Sequence, residues 1–127
     1  MRGTAQALPR NGFELEVAGV TYENRQDLID PSLIGSEVFL IRDKANDFDE
    51  FAIRVLRNDG ECLGFVPKRC SRHLAPFAEC QGLSGIVKAV VGGTPEKTIK
   101  GVRVWVWDDE GRSLPIAAMT EGGGSHV

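Results

Sequence analysis

Sulfur is scarce in this chain, and the three cysteines, Cys62, Cys70 and Cys80, are an odd number without a Cys-x2-Cys pair. That excludes a small domain stapled by disulfides and fits a reducing compartment. No apolar run reaches the roughly 18–20 residues that cross a bilayer. The N-terminal stretch, MRGTAQALPRNG, has no hydrophobic segment of signal-peptide length. A cytosolic protein with no membrane partner is therefore expected. A strong charge of one sign is also missing, and the net charge of −3 excludes a basic coat for nucleic acid. It leaves room for a local basic face, because binding follows the distribution of charge rather than its sum.

The signatures of several chemistries are missing as well. Gly92-Gly93-Thr94-Pro95-Glu96-Lys97-Thr98 lacks the Gly-Lys step of a phosphate-binding loop. No Gly-x-Ser-x-Gly occurs, and His73 is the only histidine outside the tail. Cys70-x2-His73 with Cys80 lacks the paired spacing of structural zinc. The acidic stretch 43–50 lacks the glycine and late glutamate of a calcium loop. No enzyme, cofactor or metal is expected on these grounds. A small metal-dependent nuclease using Asp43, Asp47 and Asp49 is the least favoured reading, since alternate positions in a turn more often face solvent.

What is present is one domain's worth of chain, 127 residues of which 42% are hydrophobic. Residues 1–12 read as a loose arm and 119–127, with three consecutive glycines, as a flexible tail; the folded part is 13–118. Alternating apolar residues predict a half-buried strand over 13–20. Residues 37–42 are apolar on both faces, which predicts a central strand. Further strands are predicted over 52–57, 62–67, 83–91 and 101–107, with a tight turn at Asn58-Asp59-Gly60. Leu74, Phe77 and Ala78 share one helical face within 68–81, where Pro76 predicts a kink or restart and Gly82 a stop. Six short strands with one helix predict a mostly β fold, a small antiparallel barrel of the OB or SH3 kind.

The stretch Arg42–Val55 is the richest in signal. It holds Asn46, Asp47, Phe48 and Asp49 in a polar loop between two strands, and loops on a rigid sheet are where binding residues tend to sit. Arg42-Asp43-Lys44-Ala45-Asn46-Asp47-Phe48-Asp49-Glu50-Phe51-Ala52-Ile53-Arg54-Val55 resembles the central block of the HIRAN domain family, R-x-x-x-N-x-[YF]-D-x-x-A-I-x-V. Val17-Ala18-Gly19-Val20-Thr21-Tyr22 before it and Leu63-Gly64-Phe65-Val66-Pro67-Lys68 after it resemble that family's flanking strands in order and spacing. The likeness runs from about Val17 to Trp107.

The resemblance implies a modified OB- or SH3-like β-barrel that binds DNA. In fork-remodelling helicases of the SWI/SNF type, such a domain captures the free 3′ end of single-stranded DNA, and in bacteria it also stands alone as a short protein. A role in repair or fork processing follows, with a helicase or other repair protein as candidate partner and a monomer or weak dimer as the expected state. Residue by residue, the resemblance makes Asp49 the acceptor of the 3′-hydroxyl and Asn46 a contact to the terminal nucleotide. Tyr22 and Phe48 become stacking walls and Lys68 a contact to the strand's backbone. Phe65 lines the same pocket or fills the core. Two positions depart from the pattern: Phe48 stands where tyrosine is frequent, and Thr21 where DNA-binding relatives carry arginine.

Structural roles compete with each of these. Asp49 can cap its turn, Asn46 can close an Asx-turn, and Phe48 can plug the barrel's end. Arg42 is expected to be structural, pairing with Asp43 or Glu50. Arg69 and Arg72 can extend a basic rim from Lys68 or be solvated on a helix face. The Arg103–Trp105–Trp107 stripe is a second platform, a dimer surface, or a face covered by the N-terminal segment or the helix. An interaction module for a protein partner on that stripe or a sheet edge, without DNA, is the alternative function.

Overall fold

The computed structural model describes residues 8, 11–80 and 82–119. Among these residues six strands form: β1 (Phe13–Glu16), β2 (Glu37–Arg42), β3 (Ile53–Arg57), β4 (Cys62–Phe65), β5 (Leu83–Val91) and β6 (Gly101–Asp108). They make one antiparallel sheet in the order β1-β6-β5-β2-β3-β4. One helix, α1 (Lys68–Cys80), joins β4 to β5. The expected mostly β, six-stranded barrel-like fold is the one observed.

The sheet curls until its two edges meet. Ala18, just beyond β1, and Phe65, at the end of β4, exchange backbone hydrogen bonds of 2.7 and 2.8 Å. Closing this corner pairs backbone groups that an open edge would expose. Gly64 makes the closure possible, because a Cβ there would lie 2.3 Å from the Ala18 carbonyl oxygen. β1 therefore ends at Glu16 instead of running to residue 20, and the chain turns at Gly19, whose φ is +71°.

The inner face carries the core: Val38, Leu40, Ile53, Val55, Val102, Val104 and Val106 are all fully buried, with Leu74 of α1 packed among them. β2 is central in the sheet, between β5 and β3. Its outer face is not covered, however: Phe39 and Ile41 are 40% and 49% exposed. In a closed sheet the concave side holds the core and the convex side meets water, so a central strand need not be buried twice.

α1 runs through Pro76 without a restart. Pro76 and Arg72, whose carbonyl loses its helical donor, are both exposed, so water can take the donor's place. Gly82, with φ +94°, stops the chain as expected, and its N–H donates to the Phe77 carbonyl at 3.0 Å.

The connection from β1 to β2 contains two short 3-10 turns, Arg25–Leu28 and Pro31–Leu33. It is anchored by Ile29 and Leu33 in the core and by one amide. Gln26 donates to the carbonyls of Val20 and Lys100 at 3.0 and 2.9 Å and accepts the Lys100 N–H at 2.8 Å.

Beyond β6 the chain folds back on the core, burying Leu114 and Met119. Met119 had been expected to open the tail; the rest of the tail and most of the arm 1–12 lie outside the described residues. The Trp105–Trp107 stripe is half-buried. A Cβ on Gly12 would lie 2.5 Å from the Trp105 indole nitrogen, so Gly12 packs closely against that ring.

Asp108 locks this end. Its buried carboxylate accepts the backbone N–H groups of Glu110 and Arg112 at 3.1 and 3.0 Å, and the Arg112 guanidinium at 2.9 and 2.8 Å. The side-chain hydrogen bond from Arg112 holds its pKa below the ordinary value. A lowered carboxylate pKa stabilises the fold above the unfolded-state value, near 4, and the contribution is lost as pH falls through the folded-state value. Asp108→Ala is expected to cost about 2 kcal/mol at pH 7. Because the variant lacks the group, the difference from the parent should shrink when denaturation is repeated below about pH 4.

Candidate functional site

The loop between β2 and β3 is built on its own side chains. Asn46 Oδ1 accepts the N–H groups of Phe48 and Asp49 at 2.8 and 2.9 Å, and its amide donates to Asp43 at 3.4 Å. This is the Asx-turn anticipated for Asn46. Burial works to raise the Asp43 pKa, but hydrogen bonds from Arg54 and Asn46 and the Arg54 charge outweigh it and leave the carboxyl below its usual value.

Asp49 is held at both oxygens. Oδ1 accepts the Phe51 N–H at 2.9 Å and Oδ2 the hydroxyl of Ser71, on α1, also at 2.9 Å. The turn-capping role foreseen for Asp49 is thus realised, together with a tie to the helix that sequence spacing does not reveal. Lys68 Nζ donates to the Phe48 carbonyl at 3.4 Å. Phe48 plugs nothing, since it is 90% exposed.

Arg42 is structural, as expected, but with other partners. It donates to the backbone carbonyl of Glu50 at 2.6 Å and pairs with the Glu79 carboxylate of α1, rather than with the carboxylates of Asp43 or Glu50. Helix and loop become neighbours only when the sheet curls, so the choice of Glu79 is a tertiary outcome.

The opposite wall forms around Gly19. A Cβ there would meet Arg25, Tyr22 and Phe65 at 3.3, 3.8 and 3.9 Å, so these three side chains crowd one glycine. Tyr22 is 67% exposed. Arg25 is buried, with its guanidinium carbon 5.3 Å from the centre of the Phe65 ring, a cation–π contact.

The two walls enclose an open cleft of about 1010 Å³, and Tyr22, Asn46, Phe48, Asp49, Phe65 and Lys68 all line it. Thr21, Arg69 and Arg72 do not, so the basic rim contracts to Lys68. Glu23, Arg25 and Arg54 line it as well and were not singled out by the sequence. No local pattern marks them: Arg25 is one charged residue in an irregular segment, and its burial depends on Phe65, forty positions away. In charge the cleft is mixed, with Arg25, Arg54 and Lys68 set against Glu23, Asp43, Asp47 and Asp49. Two carboxylates are already paired, Glu23 with Arg25 at 2.7 Å and Asp43 with Arg54 at 3.3 Å.

Comparison with known proteins adds three kinds of likeness. The family model described as the HIRAN domain matches residues 11–110. A Fanconi-associated nuclease 1 homolog of Arabidopsis thaliana is 32% identical over 98 residues, 76% of this chain and 10% of that protein, so the chain spans only a small part of this relative. Among solved structures, the HIRAN domain of human HLTF superposes with a TM-score of 0.57 at 20% identity, covering 91% of this chain and 92% of that one. A Lactobacillus plantarum protein gives 0.54 at 21% identity, covering 75% and 93%. The HLTF HIRAN domain in its DNA-bound conformation gives 0.54 at 18% identity, covering 91% and 90%. These structural likenesses establish the fold.

Proposed function

This chain belongs to the HIRAN domain family, and from that membership we propose that its cleft binds DNA, gripping the 3′-hydroxyl end of a single strand. The observation that carries the reading is the arrangement of Phe48, Tyr22 and Asp49 around one cleft. Two strongly exposed aromatic rings share the cleft with a carboxylate that is hydrogen-bonded at both oxygens. Neither ring serves the core, and each offers a face on which a base can stack. Each Asp49 oxygen accepts one hydrogen bond within the protein and retains capacity for another, so it can accept the proton of a terminal hydroxyl. The same charge would repel a terminal phosphate. Lys68, beside Phe48, supplies a cation for the strand's backbone. The HLTF HIRAN domain, whose fold this chain shares, has a DNA-bound conformation. A place in repair or fork processing, beside a helicase or other repair protein, belongs to the same proposal.

Fluorescence titration with short oligonucleotides that differ only at their ends tests it. A 3′-hydroxyl strand should bind about tenfold more tightly than its 3′-phosphate counterpart, as expected for a charge-assisted hydrogen bond exchanged for repulsion. Equal affinity for the two would overturn end recognition. Phe48→Ala should weaken binding by about 1 kcal/mol or more, roughly fivefold at least, through lost stacking. Its melting temperature should not change, because the ring is 90% exposed. A protein partner on the Trp105–Trp107 face is less well supported, since both indoles are half-buried and Gly12 lies against Trp105.

A further inference from the structure

A cleft holding more carboxylates than cations is a poor receptor for phosphate unless some of that charge can leave. The Arg25–Glu23 pair is built so that it can. The Arg25 side chain is only 9% exposed and the Glu23 side chain 77%. Arg25 Nη1 donates to the Gly19 carbonyl at 2.7 Å and Nη2 to Glu23 Oε1 at 2.7 Å, while Nε is buried with no partner among the described residues. Nε and Nη2 form the side fork of a guanidinium, the pair of donors that takes two oxygens of a carboxylate or phosphate at once. Glu23 fills one position of that fork, and the other is idle. A buried donor left unpaired is costly, and a native structure that keeps one is storing a binding capacity or strain. Strain is present too: Glu23 and Asn24 both take left-handed backbone conformations, with φ of 55° and 62°.

We propose that Arg25 is a phosphate-binding residue of the cleft and that Glu23 is its resident placeholder. Resting on the strand-end reading above, the assignment gives the displaced group and the ligand. Two oxygens of a phosphodiester take Nε and Nη2 together, and the Glu23 carboxylate swings into water. An exposed carboxylate loses little by leaving such a pair. Arg25 stays in place, held by Gly19 and by the Phe65 ring. The exchange satisfies the idle donor and removes one negative charge from the cleft's lip. It also supplies, from position 25, a cation that Thr21 does not.

Glu23→Gln tests this, because it keeps an oxygen for Nη2 and removes the charge. In titration of the full chain with a 3′-hydroxyl oligonucleotide, E23Q should bind roughly three- to tenfold more tightly than the parent. Arg25→Lys, which keeps the charge and loses the fork, should cancel that gain when combined with E23Q. A second readout does not depend on a variant's folding: the Nε–H resonance of Arg25 in the parent chain should shift as the same oligonucleotide is added. E23Q binding like the parent, or an unmoved Nε–H resonance at saturation, would overturn the assignment. If the parent still separates 3′-hydroxyl from 3′-phosphate strands in that case, the strand-end reading stands without it. If neither protein binds any oligonucleotide, both readings fall.

Discussion

Gly64→Ala is expected to destabilise this protein by about 3–5 kcal/mol, combining overpacking with backbone strain. A Cβ at this position would lie 2.3 Å from the Ala18 carbonyl oxygen and 2.6 Å from a Val17 methyl, and the glycine's φ is +155°. Both obstacles belong to the segment that closes the sheet, so neither can withdraw without opening it. The Ala18–Phe65 hydrogen bonds would lengthen or break, and Phe65 would lose its place against Gly19 and Arg25. Thermal unfolding should show a drop of more than about 10 °C, given a few degrees per kcal/mol for a domain of this size. Binding should weaken in parallel, since one wall of the cleft depends on the closure. A variant that melts within about 2 °C of the parent would mean that the corner yields cheaply.

Asp49→Ala is expected to weaken 3′-hydroxyl strand binding by about 30- to 100-fold, or about 2–3 kcal/mol, the range for loss of a charge-assisted hydrogen bond. The substitution has a second effect that must be separated from the first. Asp49 also accepts from Phe51 and Ser71, so its loss removes one of the ties between the loop and α1. Ser71→Ala removes that tie alone and leaves the carboxylate. It should cost about 1 kcal/mol of stability and change binding by less than about threefold. Should S71A impair binding as severely as D49A, the carboxylate would be acting through loop position rather than through contact with the strand. A further signature follows from charge: D49A should lose most of its discrimination between 3′-hydroxyl and 3′-phosphate ends, whereas S71A should keep it.

Much of the fold can be read from local pattern. The spans of β2 and β5 coincide with the apolar runs 37–42 and 83–91, and the stop at Gly82 falls where a left-handed residue was needed. These features depend on neighbours within a few positions, and periodicity reports such neighbours directly. The candidate site was legible for a related reason. Its central loop is continuous in sequence, so the resemblance to the family pattern covers Asn46, Phe48 and Asp49 together, and the flanking blocks of that pattern bring in Tyr22, Phe65 and Lys68.

What escaped the sequence is long-range in every case. The bare outer face of β2 follows from which side of the curled sheet encloses the core, and a run apolar on both faces does not state that. Unbroken passage of α1 through Pro76 depends on that turn facing water. Glu79 as the partner of Arg42, and Ser71 as the partner of Asp49, exist because α1 packs beside the β2–β3 loop. Arg25 is an ordinary loop arginine until the closure of the sheet brings Phe65 beneath it.

Sequence alone therefore carried the strand-rich architecture and the likeness to the family, and through that likeness six of the residues that line the cleft, because motif and periodicity are written in short-range spacing and side-chain type. Tertiary structure alone decided the cleft's charge balance, the pairing of its carboxylates and the burial of Arg25. Those properties arise only where the chain closes on itself at Ala18 and Phe65, where distance in space no longer follows distance along the chain.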